Sequence, residues 1–161
     1  MAFERLLYLE QPTSRDLAGR GEPMDEVSSV RPVLADEAVT DLKSFELALQ
    51  LGWSGIALKT CKWHSSCLLY LAMAGKRRLP YSIQDLTCPG ISLVHSAGFA
   101  ARTSPLGFEY NARQYMPFAY GEIQERHRSV FEVKDGAIGT QDLFEEGLGY
   151  DAEVVEKTFG G

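Results

Sequence analysis

Gly55-Ile56-Ala57-Leu58-Lys59 is a short apolar run that ends abruptly in a lysine. A run of this length, followed by Thr60-Cys61-Lys62 and then a helical pattern from His64, reads as a buried β-strand leading into a helix. The same grammar recurs along the chain. Strands are expected at Arg5–Glu10, Val33–Asp36, Gly55–Lys59, Tyr81–Asp85 and Gly107–Glu109. Helices are expected at Leu42–Leu51, His64–Ala74 and Ile91–Ala101, with Gly52 and Gly75 as stops. The Arg15–Val30 link is polar, carries a proline and is the least helical of the connections.

Each expected strand ends in an ionisable residue: Glu10, Asp36, Lys59, Asp85 and Glu109. Their separations are 26, 23, 26 and 24 residues, about the length of a strand, a helix and the loops joining them. Alternation of strands and helices indicates a parallel sheet. Ionisable groups ending successive strands converge on one rim of a (β/α) barrel, where such folds keep their chemistry. A doubly wound sheet would more naturally show a glycine-rich phosphate turn after its first strand, and the chain has no GxGxxG and no GxxxxGK[ST]. The expectation is therefore α/β: a partial (β/α)8 TIM-type barrel of about five βα units over residues 1–115. After Glu109 the pattern changes. Val130–Val133, Lys134-Asp135-Gly136 and Ala137-Ile138 read as a β-hairpin with an Asp-Gly turn, part of a tail over residues 116–161.

Bulk properties narrow the function. Of 161 residues 45% are hydrophobic, enough for a core, and the net charge of −6 argues against a surface that must neutralise nucleic-acid phosphates. The three cysteines, Cys61, Cys67 and Cys88, show no CxxC spacing, so reduced thiols in a cytoplasmic protein are expected. No apolar stretch is long enough for a membrane helix, and the start does not read as a signal peptide.

Two carboxylates on neighbouring strands, Glu10 and Asp36, suit a hard cation such as Mg2+. Lys59 on the next strand would face them as a base. A base beside a metal-bound carboxylate suggests proton abstraction from the carbon next to that carboxylate, with the cation stabilising the enediolate that forms.

Leu9-Glu10-Gln11-Pro12, Leu34-Ala35-Asp36-Glu37 and Ile56-Ala57-Leu58-Lys59-Thr60-Cys61-Lys62 together resemble the enolase superfamily, most closely its mandelate racemase and muconate-lactonizing-enzyme groups. There the EQP, ADE and KxxK elements end the fourth, fifth and sixth barrel strands. The resemblance implies Mg2+ held by Glu10 and Asp36, with Lys59 as acid–base catalyst; a Lys base with Mg2+ is a documented pattern of that superfamily. It also implies that the tail through Gly147-Leu148-Gly149-Tyr150 is a return segment packing on a capping domain. Lys62 and Asp85 join Lys59 as candidate catalytic residues, Glu37 joins the candidate metal ligands, and Gln84, Glu109 and Asn111 are candidate contacts to a small carboxylate substrate.

The pattern has departures. Trp63-His64-Ser65-Ser66 stands where the superfamily has a glycine pair. By the resemblance, the chain starts at the fourth strand, without the third metal ligand, the second-strand lysine or the capping domain. Two readings are carried forward. One is the carboxyl-terminal part of a Mg2+-dependent racemase, epimerase, cycloisomerase or acid-sugar dehydratase. The other is a non-catalytic remnant or interaction protein, inactive as the isolated chain, whose exposed strand edges favour homo-oligomerisation.

Overall fold

The computed structural model describes residues 2–84, 90–111, 115, 121–143, 153 and 156. Two compact units are present. The first comprises Met1–Leu58, Lys62–Ile83 and Pro105–Gly107; the second comprises Lys59–Cys61, Gln84–Ser104 and Phe108–Gly161.

A five-stranded parallel sheet runs in the order β1 (Leu9–Glu10), β2 (Val33–Ala35), β3 (Gly55–Lys59), β4 (Tyr81–Gln84), β5 (Phe108–Glu109). Sequential order with a connection between each pair of strands is the βαβ arrangement that the strand–helix alternation implied. Leu9 pairs with Val33 and Glu10 with Leu34, and then Leu34 with Gly55 and Ala35 with Ile56. The Ile56 N–H donates to the Pro80 carbonyl at 3.3 Å, and the Ile83 N–H to the Gly107 carbonyl at 3.2 Å. β2 and β3 are buried at every residue, which is why neither alternates polar and apolar. Gly55 is required where it stands: a β-carbon there would lie 2.3 Å from the Leu34 side chain and 2.4 Å from the Pro80 carbonyl oxygen. The β1 strand is shorter than the sequence suggested: Arg5 belongs to a 3-10 turn over Ala2–Arg5, and residues 6–8 lie in no regular element.

The Arg15–Val30 link holds two single-turn helices, α1 (Leu17–Arg20) and α2 (Asp25–Ser28). α3 (Leu42–Gln50) starts from a capping box: the Asp41 carboxylate accepts from the Ser44 N–H at 2.7 Å, and the Ser44 hydroxyl oxygen accepts from the Asp41 N–H at 3.0 Å. The Ser44 backbone and hydroxyl donors hold the Asp41 carboxyl below its ordinary value of 3.8. A depressed folded value favours the charged, folded form. The cap's contribution is therefore complete above that ordinary value and is lost as pH falls through the lowered one. An acid titration followed at the Ser44 amide should report this as loss of the downfield shift; a resonance unchanged to the point of global unfolding would refute it.

α4 (His64–Arg77) runs past Gly75, and Arg78 closes it in the left-handed conformation at φ 57°. In the second unit, α5 (Ile91–Ala101), α6 (Gly121–Arg126) and α7 (Arg128–Phe131) bury Leu93, Val94, Ala97, Ile123, Val130 and Phe131, with Leu143, in one apolar cluster. Arg102 ties this cluster together by donating to the Gly98 carbonyl at 3.0 Å and the Leu143 carbonyl at 2.5 Å.

The expected hairpin is present only as its turn. Lys134 and Ala137 exchange both backbone hydrogen bonds, at 2.8 and 2.9 Å, around Asp135 (φ 51°) and Gly136 (φ 76°), the paired positive φ of a two-residue hairpin turn. The residues before it are not a strand: Val130 and Phe131 lie in α7. Burial in a helical cluster overrides the strand preference of a β-branched and aromatic pair. Asp85, Cys88, Arg113 and the Gly147–Tyr150 loop lie outside the described residues.

Candidate functional site

β2 ends at Ala35, and Asp36 follows with only 1% of its surface exposed. A carboxylate carried to that depth needs a compensating charge or donor. Lys62 supplies one from the 3-10 turn Thr60–Lys62 at the end of β3. Its ammonium donates to the Asp36 carboxylate at 2.8 Å and to the Asp36 carbonyl at 3.2 Å. The lysine side chain is 35% exposed, so the pair has one sealed end and one wet end.

Gln11 fixes the backbone of the same corner. Its carbonyl oxygen accepts from the Asp36 and Ala38 N–H groups, each at 3.1 Å, while its amide nitrogen lies 3.4 Å from the Thr13 and Ser14 carbonyls. Both ends of a primary amide are used, which a carboxylate or a shorter side chain cannot reproduce. Gln11 also takes φ 39°, so the chain turns sharply just after Glu10. Glu10 is half-buried at the end of β1. Glu37, expected among the metal ligands, pairs with Arg15 at 3.0 Å, with the two side chains 33% and 71% exposed. An ion pair this exposed contributes at most about 1 kcal/mol.

In the second unit Lys59, at the end of β3, is 6% exposed, and Gln84, at the end of β4, is 1% exposed. Glu109 ends β5 half-buried and accepts a hydrogen bond from the Asn111 amide. Thr60 and Ser96 share a buried hydroxyl hydrogen bond of 2.8 Å, which ties the turn after β3 to α5. Among the described residues, no three His, Cys, Asp or Glu side chains form a cluster able to hold a metal ion.

The sequence profile of the enolase C-terminal domain-like family matches residues 1–155. The chain belongs to that family. A search of curated proteins and a search of solved structures gave no match. Family membership accounts for the parallel βα arrangement and for the order of the EQP, ADE and KxxK elements. Trp63, just before α4, has φ 154° and no side-chain cap for that helix. That is a conformation glycine adopts without strain, whereas in Trp63 it accompanies an indole that is 76% exposed. No helix among the described residues is long and apolar enough to cross a membrane.

The Gln11 clasp and the Lys62–Asp36 pair are the features that sequence reading did not supply. Gln11 was visible within EQP, but its use of both amide ends depends on the turn that follows Glu10. Lys62 was singled out, but its partner could be known only from the 3-10 turn that aims it at β2.

Proposed function

We propose that the chain forms the carboxyl-terminal part of a Mg2+-dependent enolase-family site that removes the proton next to a substrate carboxylate. Glu10 and Asp36 would hold the cation, and Lys59 would be the base. Gln84, Glu109 and Asn111 would meet the substrate, and residues 116–161 would form the return segment. The observation that carries this reading is the strand register. Side chains alternate along a strand, and paired residues of neighbouring strands share a face. Glu10 is level with Leu34, and Asp36 is two residues beyond Leu34. Asp36 in turn falls level with Ala57, and Lys59 is two residues beyond that. Backbone bonds from Ile56 to Pro80 and from Ile83 to Gly107 carry the same phase on to Gln84 and Glu109.

The donor set fits magnesium. That ion is commonly held by one or two carboxylates, with water and substrate oxygens completing the octahedron. The ammonium drawn to buried Asp36 supports this reading, since that carboxylate is already matched to a positive charge. When bound, the ion would draw charge from the substrate carboxylate and make the neighbouring C–H more acidic. The protein's own steps are then few. Lys59 Nζ takes the α-proton, and its burial keeps competing water away. Gln11 keeps the Asp36 backbone fixed while that happens.

The second reading is a chain that acts by association. Metal titration separates the two. Mn2+ binding followed by electron paramagnetic resonance should be seen with the 161-residue chain and should weaken by about tenfold or more in Asp36→Asn and in Glu10→Gln. Equal binding by all three proteins would remove these residues from the site.

A further inference from the structure

Both hydrogen bonds of Lys62 go to one residue. Its Nζ lies 2.8 Å from Asp36 Oδ1 and 3.2 Å from the Asp36 carbonyl oxygen. The two partners are unequally placed. Asp36 is sealed at 1% exposure, whereas the lysine side chain is 35% exposed on a four-carbon stem. Only the ammonium has a way out to water.

We propose that Lys62 is the resident counter-cation of Asp36, and that a divalent metal ion enters the site by displacing it. The inference rests on the metal reading above and adds how the site stays intact without metal. A hard divalent ion binds carboxylate oxygen at about 2.0–2.1 Å. An ammonium kept on Oδ1 would then stand within a few ångströms of a doubly charged ion, and in so buried a corner their repulsion is weakly screened. Their repulsion favours the departure of one cation, and Lys62 is the one with a solvent-facing path. While it is in place it offsets the desolvation of Asp36 and holds the end of β2 against the turn after β3. Metal affinity is therefore set partly by the cost of breaking this ion pair. The site exchanges one cation for another rather than filling a vacancy.

Lys62→Met keeps the stem and removes the charge. Mn2+ affinity of the full chain, measured by electron paramagnetic resonance, should rise by about tenfold or more. Without metal the variant should unfold at a lower temperature than the unsubstituted chain, because buried Asp36 has lost a partner. Added Mn2+ should raise its unfolding temperature by more than it raises that of the unsubstituted chain. Equal or weaker metal binding by Lys62→Met overturns the displacement. If neither chain binds Mn2+, the metal reading itself has failed, and the displacement fails with it. Should the variant not fold, the unsubstituted chain still decides the matter. Acylation of Lys62, followed by mass spectrometry, should become several-fold faster when Mn2+ is added, as the ammonium moves into solvent. No change, or a slower reaction, counts against the proposal.

Discussion

Replacing Phe45 with alanine is expected to lower the free energy of unfolding by about 3–5 kcal/mol. Phe45 is fully buried on α3. Its ring meets that of Tyr70 on α4 edge-on, with centroids 5.5 Å apart and an interplanar angle of 74°. Truncation removes the transferred apolar surface, leaves a ring-sized cavity and forfeits an aromatic pair worth about 0.5–1.5 kcal/mol on its own. Against a total stability of about 5–15 kcal/mol for a natural domain, this is a large share. A urea midpoint should fall by about 2 M if the slope is about 2 kcal/mol per M. The phenol of Tyr70 supplies a second readout. Burial, with the Asp41 carboxylate adding to it, holds that group above its usual value of 10. Water entering the cavity should bring it back down, visible in an alkaline absorbance titration. Leu68→Ala on α4, at a residue that is 48% exposed, is the control and should stay within about 0.5 kcal/mol. A Phe45→Ala chain as stable as that control would mean that α3 and α4 are not packed as described.

The contrast between Phe45 and Leu68 bears on how much of the fold the sequence could disclose. Strongly patterned elements were readable at their ends: Gly55–Lys59 and Ile91–Ala101 occupy the residues expected of them. Both are bounded by local chemistry, a glycine and a lysine in one case and a Gly90 turn in the other. Elements whose form is decided by distant partners were not readable. Val130 and Phe131 look like strand residues, yet they bury helical turns against Leu93, Val94 and Ile123. Gly75 looks like a helix stop, yet nothing approaches the position of its missing side chain and α4 passes through it. The strand ends at Glu10, Lys59 and Glu109 were legible because an ionisable residue closes each of those apolar runs, whereas β2 stops at Ala35, one residue short of Asp36. Their pairings were not, because Lys62 reaches Asp36 only through a 3-10 turn, which has no clear signature in Thr60-Cys61-Lys62.

Lys59→Ala is expected to lower α-proton exchange by about 10²–10⁴-fold, the usual contribution of a positioned acid–base group, while leaving Mn2+ affinity within about twofold. Exchange is read as deuterium uptake next to the substrate carboxylate in heavy water. The assay is run with the chain alone and with the chain joined to the amino-terminal half of a family enzyme, and exchange is expected from the joined protein. The separation of effects follows from the roles proposed for β1, β2 and β3. As the proposed oxygen donors, Glu10 and Asp36 should on loss reduce metal affinity and exchange together. As the proposed base rather than a ligand, Lys59 should on loss change kcat with metal binding preserved. Because Lys59 is 6% exposed, part of any loss could come from disturbed packing. Lys59→Met controls for this, since it keeps an unbranched stem of similar length and removes the proton acceptor. Both variants should be equally inactive. Exchange restored by methionine would make Lys59 a packing residue, and exchange retained within tenfold by both would place the base elsewhere.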